Sequence, residues 1–161
     1  MDQNFDDERE QAREMLELDE GNTEYPIDCK TGKKVEAPLG RVTIGIGHNL
    51  QDNPLSEEVI LFLFYIDLKH AYQTAQSLVP GLLELERNRR LAIVNMAFNL
   101  GYHRLKGFES MLEAVNDGRW EHAAHHARNS HWFVQVGDRA KRVVLMLEHN
   151  TFPYGDKKNV H

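Results

Sequence analysis

The chain has 161 residues, 41% apolar and 27% charged, the balance of a soluble globular protein long enough to bury a core within one domain. No run approaches the roughly 18 apolar residues needed to span a bilayer, and the start, M-D-Q-N-F-D-D-E-R-E, is acidic and polar, the opposite of a secretory leader. A net charge of −6, from 19 basic and 25 acidic side chains, argues against nucleic acid as the partner; the single cysteine, Cys29, excludes an internal disulfide and fits synthesis in a reducing compartment.

Taken in order, the first element is a helix over about Phe5 to Leu18, with Ala12, Met15, Leu16 and Leu18 sketching an apolar face and Gly21 as the stop. Tyr25-Pro26 begins irregular chain, and Asp28 to Arg41 reads as an exposed loop or short hairpin. Val42 to Ile46 fits a strand, where Gly45 and Gly47 leave no side chain over its surface. Ser56-Glu57-Glu58 starts a long helix, since a hydroxyl caps and two acids favour the positive end of the dipole; it runs to about Leu78, before Val79-Pro80-Gly81. A short helix follows. Leu91 to Leu100 is apolar at eight of ten positions, which predicts a helix buried nearly all round, with Gly101 closing it in the left-handed conformation. Beyond Gly107 come three or four shorter helices: Gly118 closes one, Asn129 and Ser130 interrupt another, and Asp138 caps the last, from Arg139 to about His149. The expected fold is α+β and mostly helical. A small β-containing lobe (about 22–55) and a helical lobe (about 79–161 plus the first helix) are joined by the long helix at 57–78, with a ligand cleft between lobes.

Four blocks in this order resemble the phage-type lysozymes, the endolysin muramidases of glycoside hydrolase family 24. They are E-M-L-E-L-D-E-G, ending in Glu20 and Gly21; T-I-G-I-G-H-N, from Thr43 to Asn49; R-R-L-A-I-V-N-M-A-F-N-L-G, from Arg89 to Gly101; and R-W-E-H-A-A, H-W-F-V-Q and D-R-A-K-R-V toward the C-terminus. The resemblance implies a two-lobed lysozyme-like fold and a glycosidase without metal or cofactor. Glycoside hydrolysis uses one carboxyl to protonate the leaving oxygen and a second group to activate water or stabilise the cation. By resemblance Glu20 is the acid, a role that needs a carboxyl retaining its proton near neutral pH. The second group lies nine residues on in the family: an ungapped count lands on Cys29, while a one-residue deletion brings Asp28 into register. A thiolate there would act as base or nucleophile only with a lowered pKa. Thr43 matches the threonine that places water or a sugar. Fourteen residues separate it from Cys29 where the family has six, so the loop carries eight extra residues, most simply between Lys30 and Leu39.

By the same matching Asn49, Phe98, Met111 and His126 contact substrate, although Phe98 and Met111 read equally well as core. His48 pairs with Asp67 to join strand and long helix, and Arg139, with Arg142 nearby, orients Glu20. His122 and His126 stand one helical turn apart, a zinc spacing, but no acid or cysteine clearly completes a site. The implied enzyme is a monomeric muramidase that hydrolyses the β-1,4 bond between N-acetylmuramic acid and N-acetylglucosamine in peptidoglycan, in phage-driven lysis, with no nucleic-acid partner and no stable membrane insertion. Without a leader it would wait in the host cytoplasm and act on the wall in the periplasm once a membrane lesion lets it out. The rivals are a lytic transglycosylase cutting the same bond and a non-catalytic wall-binding or virion module.

Overall fold

A computed structural model describes residues 3–27, 33–35 and 42–154. Helix α1 spans Gln3–Glu20, two residues beyond the sequence pattern at each end. Ala12, Met15 and Leu16 repeat at helical spacing and are at most 2% exposed. Leu18, expected on that face, lies round the helix from it and is 52% exposed. Gly21 ends α1 with φ of 82°, a left-handed value that costs glycine nothing.

The chain divides into two compact units: Met1–Glu20 with Asp67–His161, and Gly21–Ile66. In the smaller unit the glycine-rich block is a hairpin, not the single strand predicted over 42–46. Strand β1 (Thr43–Ile44) pairs antiparallel with β2 (His48–Asn49), Thr43 opposite Asn49 and Ile44 opposite His48. Gly45 and Gly47 carry φ of 59° and 78° in the turn between them. A β-branched residue resists those angles, so the glycines that seemed to thin a strand surface in fact reverse the chain. An antiparallel bridge joins Ile27 to Lys34, with Val35 N–H donating to the Pro26 carbonyl at 2.9 Å. Helix α2 (Glu57–Leu78) matches its predicted bounds, begins in this unit and ends in the larger one. In its first half Val59, Phe62, Leu63 and Ile66 form an exposed apolar stripe.

The larger unit is helical. After a 3₁₀ turn at Leu82–Glu84, α3 (Arg87–Lys106) carries seven consecutive buried residues, Leu91 through Ala97. At Gly101 the regular helical backbone is broken, with a positive φ as expected. Its φ of 67° and ψ of 175° kink the helix, which then resumes to Lys106. Four helices follow: α4 (Glu109–Asn116), α5 (Trp120–Arg128), α6 (His131–Val136) and α7 (Asp138–His149). Ser130 caps α6, its hydroxyl accepting from Phe133 N–H at 3.2 Å. Asp138 is the first residue of α7, not its cap; Gly137 takes that place, and the Asp138 carboxylate reaches forward to Lys141 at 2.8 Å. α7 packs on α3 and α5 through Ala140, Val143, Val144, Met146 and Leu147, all buried. α1 lies against α3.

Candidate active site

Glu20 is the last residue of α1, its side chain 42% exposed. Arg139, in the first turn of α7 and only 7% exposed, donates from Nη1 to Glu20 Oε1 at 2.5 Å. The rest of that guanidinium is held by α3: Nε donates to Asn95 Oδ1 at 2.9 Å and Nη2 to the Asn95 carbonyl at 3.4 Å. Asn95 is itself fully buried, and its amide turns the other way to donate from Nδ2 to Asp19 Oδ2 at 2.7 Å. Asp19, one residue before Glu20, has no exposed side-chain surface. Arg142 Nη2 donates to its Oδ1 at 2.5 Å, and the Tyr154 hydroxyl to its Oδ2 at 3.0 Å. Burial and the neighbouring Asp19 push the Tyr154 phenol above its ordinary range, so it stays a donor. The catalytic candidate is therefore the solvent-facing end of a buried polar chain through α1, α3 and α7.

In the smaller unit Thr43 stands exposed at the head of β1. Asn49 is committed to its own turn: Nδ2 donates to Asp52 at 2.7 Å, and Oδ1 accepts from the Gln51 N–H at 3.0 Å. His48 donates from Nε2 to the Asn53 carbonyl at 3.1 Å. Asp28 and Cys29 lie outside the described residues, as do positions 30–32 and 36–41 of the enlarged loop.

The remaining expected site residues fall into two pockets of the larger unit. Met111 and His126 share one of about 580 Å³ with Phe108, Trp132, Arg104 and His131. Met111 is only 1% exposed and forms floor rather than rim. Trp132 donates from Nε1 to Asn99 Oδ1 at 3.0 Å, and its ring meets Phe108 edge-on at 6.0 Å. Phe98 lines a separate pocket of about 340 Å³ with Asp67, His70 and Thr74. Among the described residues no three His, Cys, Asp or Glu side chains are placed to hold a metal, and no helix is long and apolar enough to cross a membrane.

The phage lysozyme family model matches residues 9–145, which takes in Glu20, the hairpin, the buried helix and Arg139. The chain belongs to the phage lysozyme family. It is 30% identical over 115 residues to "Probable T4-type lysozyme 1" of Dictyostelium discoideum, covering 66% of this chain and 67% of that one. To "Probable T4-type lysozyme 2" of the same organism it is 26% identical over 168 residues, 86% and 94% of the two chains. It also matches the "Pre-baseplate central spike protein Gp5" of Enterobacteria phage T4, 33% identical over 116 residues, 68% of this chain but 20% of Gp5. Membership makes the chain a muramidase-type glycoside hydrolase of the cell wall, with the α+β fold of the group.

Sequence reasoning passed over Asp19, Asn95, Asn99 and Tyr154. For two of them the signal was present. Asn95 and Asn99 are the two polar residues in the otherwise apolar run from Leu91 to Leu100, and each holds a partner of the site, Arg139 or Trp132. A polar side chain tolerated on a buried helix must have a partner, because an unpaired one costs roughly 1–3 kcal/mol. Asp19 looked like one more acid in an acidic helix, and nothing local marks Tyr154.

Proposed function

We propose that this protein hydrolyses the β-1,4 bond between N-acetylmuramic acid and N-acetylglucosamine, with Glu20 as the proton donor. The observation that carries the reading is the Glu20–Arg139 pair, in which one carboxylate oxygen is fixed by a buried guanidinium while the group keeps an exposed face for a sugar oxygen. Asp28 or Cys29 supplies the second group and Thr43 positions water; with the second group acting as a base toward that water, as the family resemblance implies, the reaction inverts the anomeric carbon. Met111 and His126, with Trp132 beside them, offer an apolar floor and polar rim suited to peptidoglycan; Phe98, in its own pocket, is a further candidate contact, and Asn49 is one by the family matching alone. The biological setting is lysis of a phage host.

Glu20→Gln should abolish release of reducing ends from purified peptidoglycan while leaving the fold intact by circular dichroism. Retained lysis would defeat the assignment. Mass spectrometry of the released muropeptides separates the chemistries, since hydrolysis leaves reducing muramic acid and transglycosylation an anhydro sugar. Cys29→Ala and Asp28→Ala in parallel identify the second group by which change stops turnover. The match to Gp5, whose name describes a baseplate spike, favours one second reading, a virion-carried lysozyme. Detection of this chain in washed virions would support it over a free endolysin.

A further inference from the structure

The buried Asp19 carboxylate has no part in the chemistry above, yet it is the most completely enclosed charge on α1 and sits one residue from Glu20. Its two oxygens receive three donors: Arg142 Nη2 on Oδ1, and Asn95 Nδ2 and the Tyr154 hydroxyl on Oδ2. Arg139 Nε lies a further step off, 3.6 Å from Oδ2, and gives its hydrogen to Asn95 Oδ1 instead. The Asn95 amide is thus read from both sides. Its nitrogen must face an acceptor and its oxygen a donor, and only one of its two flips satisfies both.

We infer that Asp19 is a positioning residue: by accepting from Asn95 Nδ2 it fixes which way that amide points, and the amide oxygen in turn fixes the Arg139 fork that holds Glu20. The inference rests on Glu20 being the acid of the proposed reaction. The geometry penalises a neutral side chain at this position. An asparagine at position 19 has one acceptor atom where three donors converge. If its nitrogen faces Asn95, two NH₂ groups oppose each other; if Asn95 then flips, its NH₂ meets the Arg139 Nε–H. If the new residue flips instead, its NH₂ meets Arg142. Every arrangement leaves a donor against a donor in a dry site, where the mismatch is costly.

The same logic supplies a rescue. Asp19→Asn combined with Asn95→Asp keeps the shape and total charge and reverses two hydrogen bonds, since the amide at 19 also turns its NH₂ toward the Tyr154 hydroxyl, which rotates to accept. The amide at 19 donates to the carboxylate at 95, which still accepts from Arg139 Nε. The tests are steady-state kinetics on peptidoglycan and solvent exchange of the Arg139 Nε–H by NMR, which reads the relay without needing turnover. Glu8→Gln, far from the site, serves as the control for lost stability alone. Asp19→Asn should lower kcat about 100-fold with KM little changed, as for a misplaced reacting group, and should hasten Arg139 Nε–H exchange. The double variant should bring both to within about threefold of the parent, a double-mutant coupling. Asp19→Asn with parental kcat and exchange overturns the inference, and so does a double variant that fails to fold or restores neither readout. If the single variant does not fold, the double variant is judged against the parent by the same criteria. A parent that releases no reducing ends defeats the proposed function instead, and the exchange measurement still decides the relay.

Discussion

α1 carries a buried carboxylate near each end, and each is held by an arginine and a tyrosine from elsewhere in the fold. Near the start, Glu8 accepts from Arg90 Nε at 2.7 Å and from the Tyr72 hydroxyl at 2.6 Å, joining α1 to α2 and α3. At the far end, Asp19 accepts from Arg142 and Tyr154. The chemistry of the two sets is the same, but their connections differ. Arg90 also donates from Nη2 to Glu8 Oε2, turns Nη1 toward the Leu83 and Leu85 carbonyls at 2.9 and 2.8 Å, and so closes the network on backbone. Asp19 is instead linked through Asn95 and Arg139 to an exposed glutamate. A carboxylate–arginine–tyrosine set can therefore be a clasp in one place and a support for chemistry in another. What decides is whether its hydrogen bonds run on to a solvent-facing acid.

The largest effect expected from breaking this comparison is kinetic. Glu20→Gln removes the proposed proton donor, worth about 10²–10⁴-fold in rate, and should leave the melting temperature almost unchanged by calorimetry. At the other end the signs reverse. Arg90→Met leaves Glu8 buried with its main partner gone, a loss of roughly 3–5 kcal/mol. Calorimetry should show a large fall in melting temperature, with kcat preserved wherever the variant is folded. Loss of kcat in the folded variant would mean that the two networks are coupled through α1.

Acid should expose the Glu8 clasp. Burial alone would raise the Glu8 pKa, but hydrogen bonds from Arg90 and Tyr72 and the Arg90 charge outweigh it and hold the carboxyl below the usual glutamate range. Because the folded value is the depressed one, the stabilisation is complete above that range and is lost as pH falls through it. Urea unfolding of the parent and Glu8→Gln should show a gap at pH 7 that narrows by pH 3.5. An equal gap at both would contradict the ion-pair account.

Gly101→Ala tests a third site, the α3 kink. An added Cβ meets nothing within 4 Å, so the cost is backbone strain alone, of order 1–3 kcal/mol. The smallest effects sharpen the comparison of the two tyrosines, both pushed above the ordinary phenol range, first by burial and then by the carboxylate each serves. Tyr72→Phe should cost about 1.5–3 kcal/mol, the value of a hydrogen bond to a charged group, with activity intact, and Tyr154→Phe a similar amount. A drop in kcat confined to Tyr154→Phe would extend the relay to the chain's last described residue.

Sequence alone determined the helical elements and the residues at their ends. The α2 bounds, the buried stretch of α3 and the stops at Gly21 and Ser130 follow from helical periodicity and local backbone preference, which need no distant partner. Ordered motifs also singled out Glu20 as the candidate acid. Tertiary structure decided the rest: that Gly45 and Gly47 turn a hairpin, that a further helical stretch resumes directly beyond Gly101, and that Leu18 faces outward. It also decided that Asp19, seventy-six positions from Asn95 and 135 from Tyr154, meets both. Hydrogen-bond partners so far apart in the chain leave no periodic trace, because the pairing is enforced by the cost of burying a charge unpaired, and that cost exists only once the helices have packed.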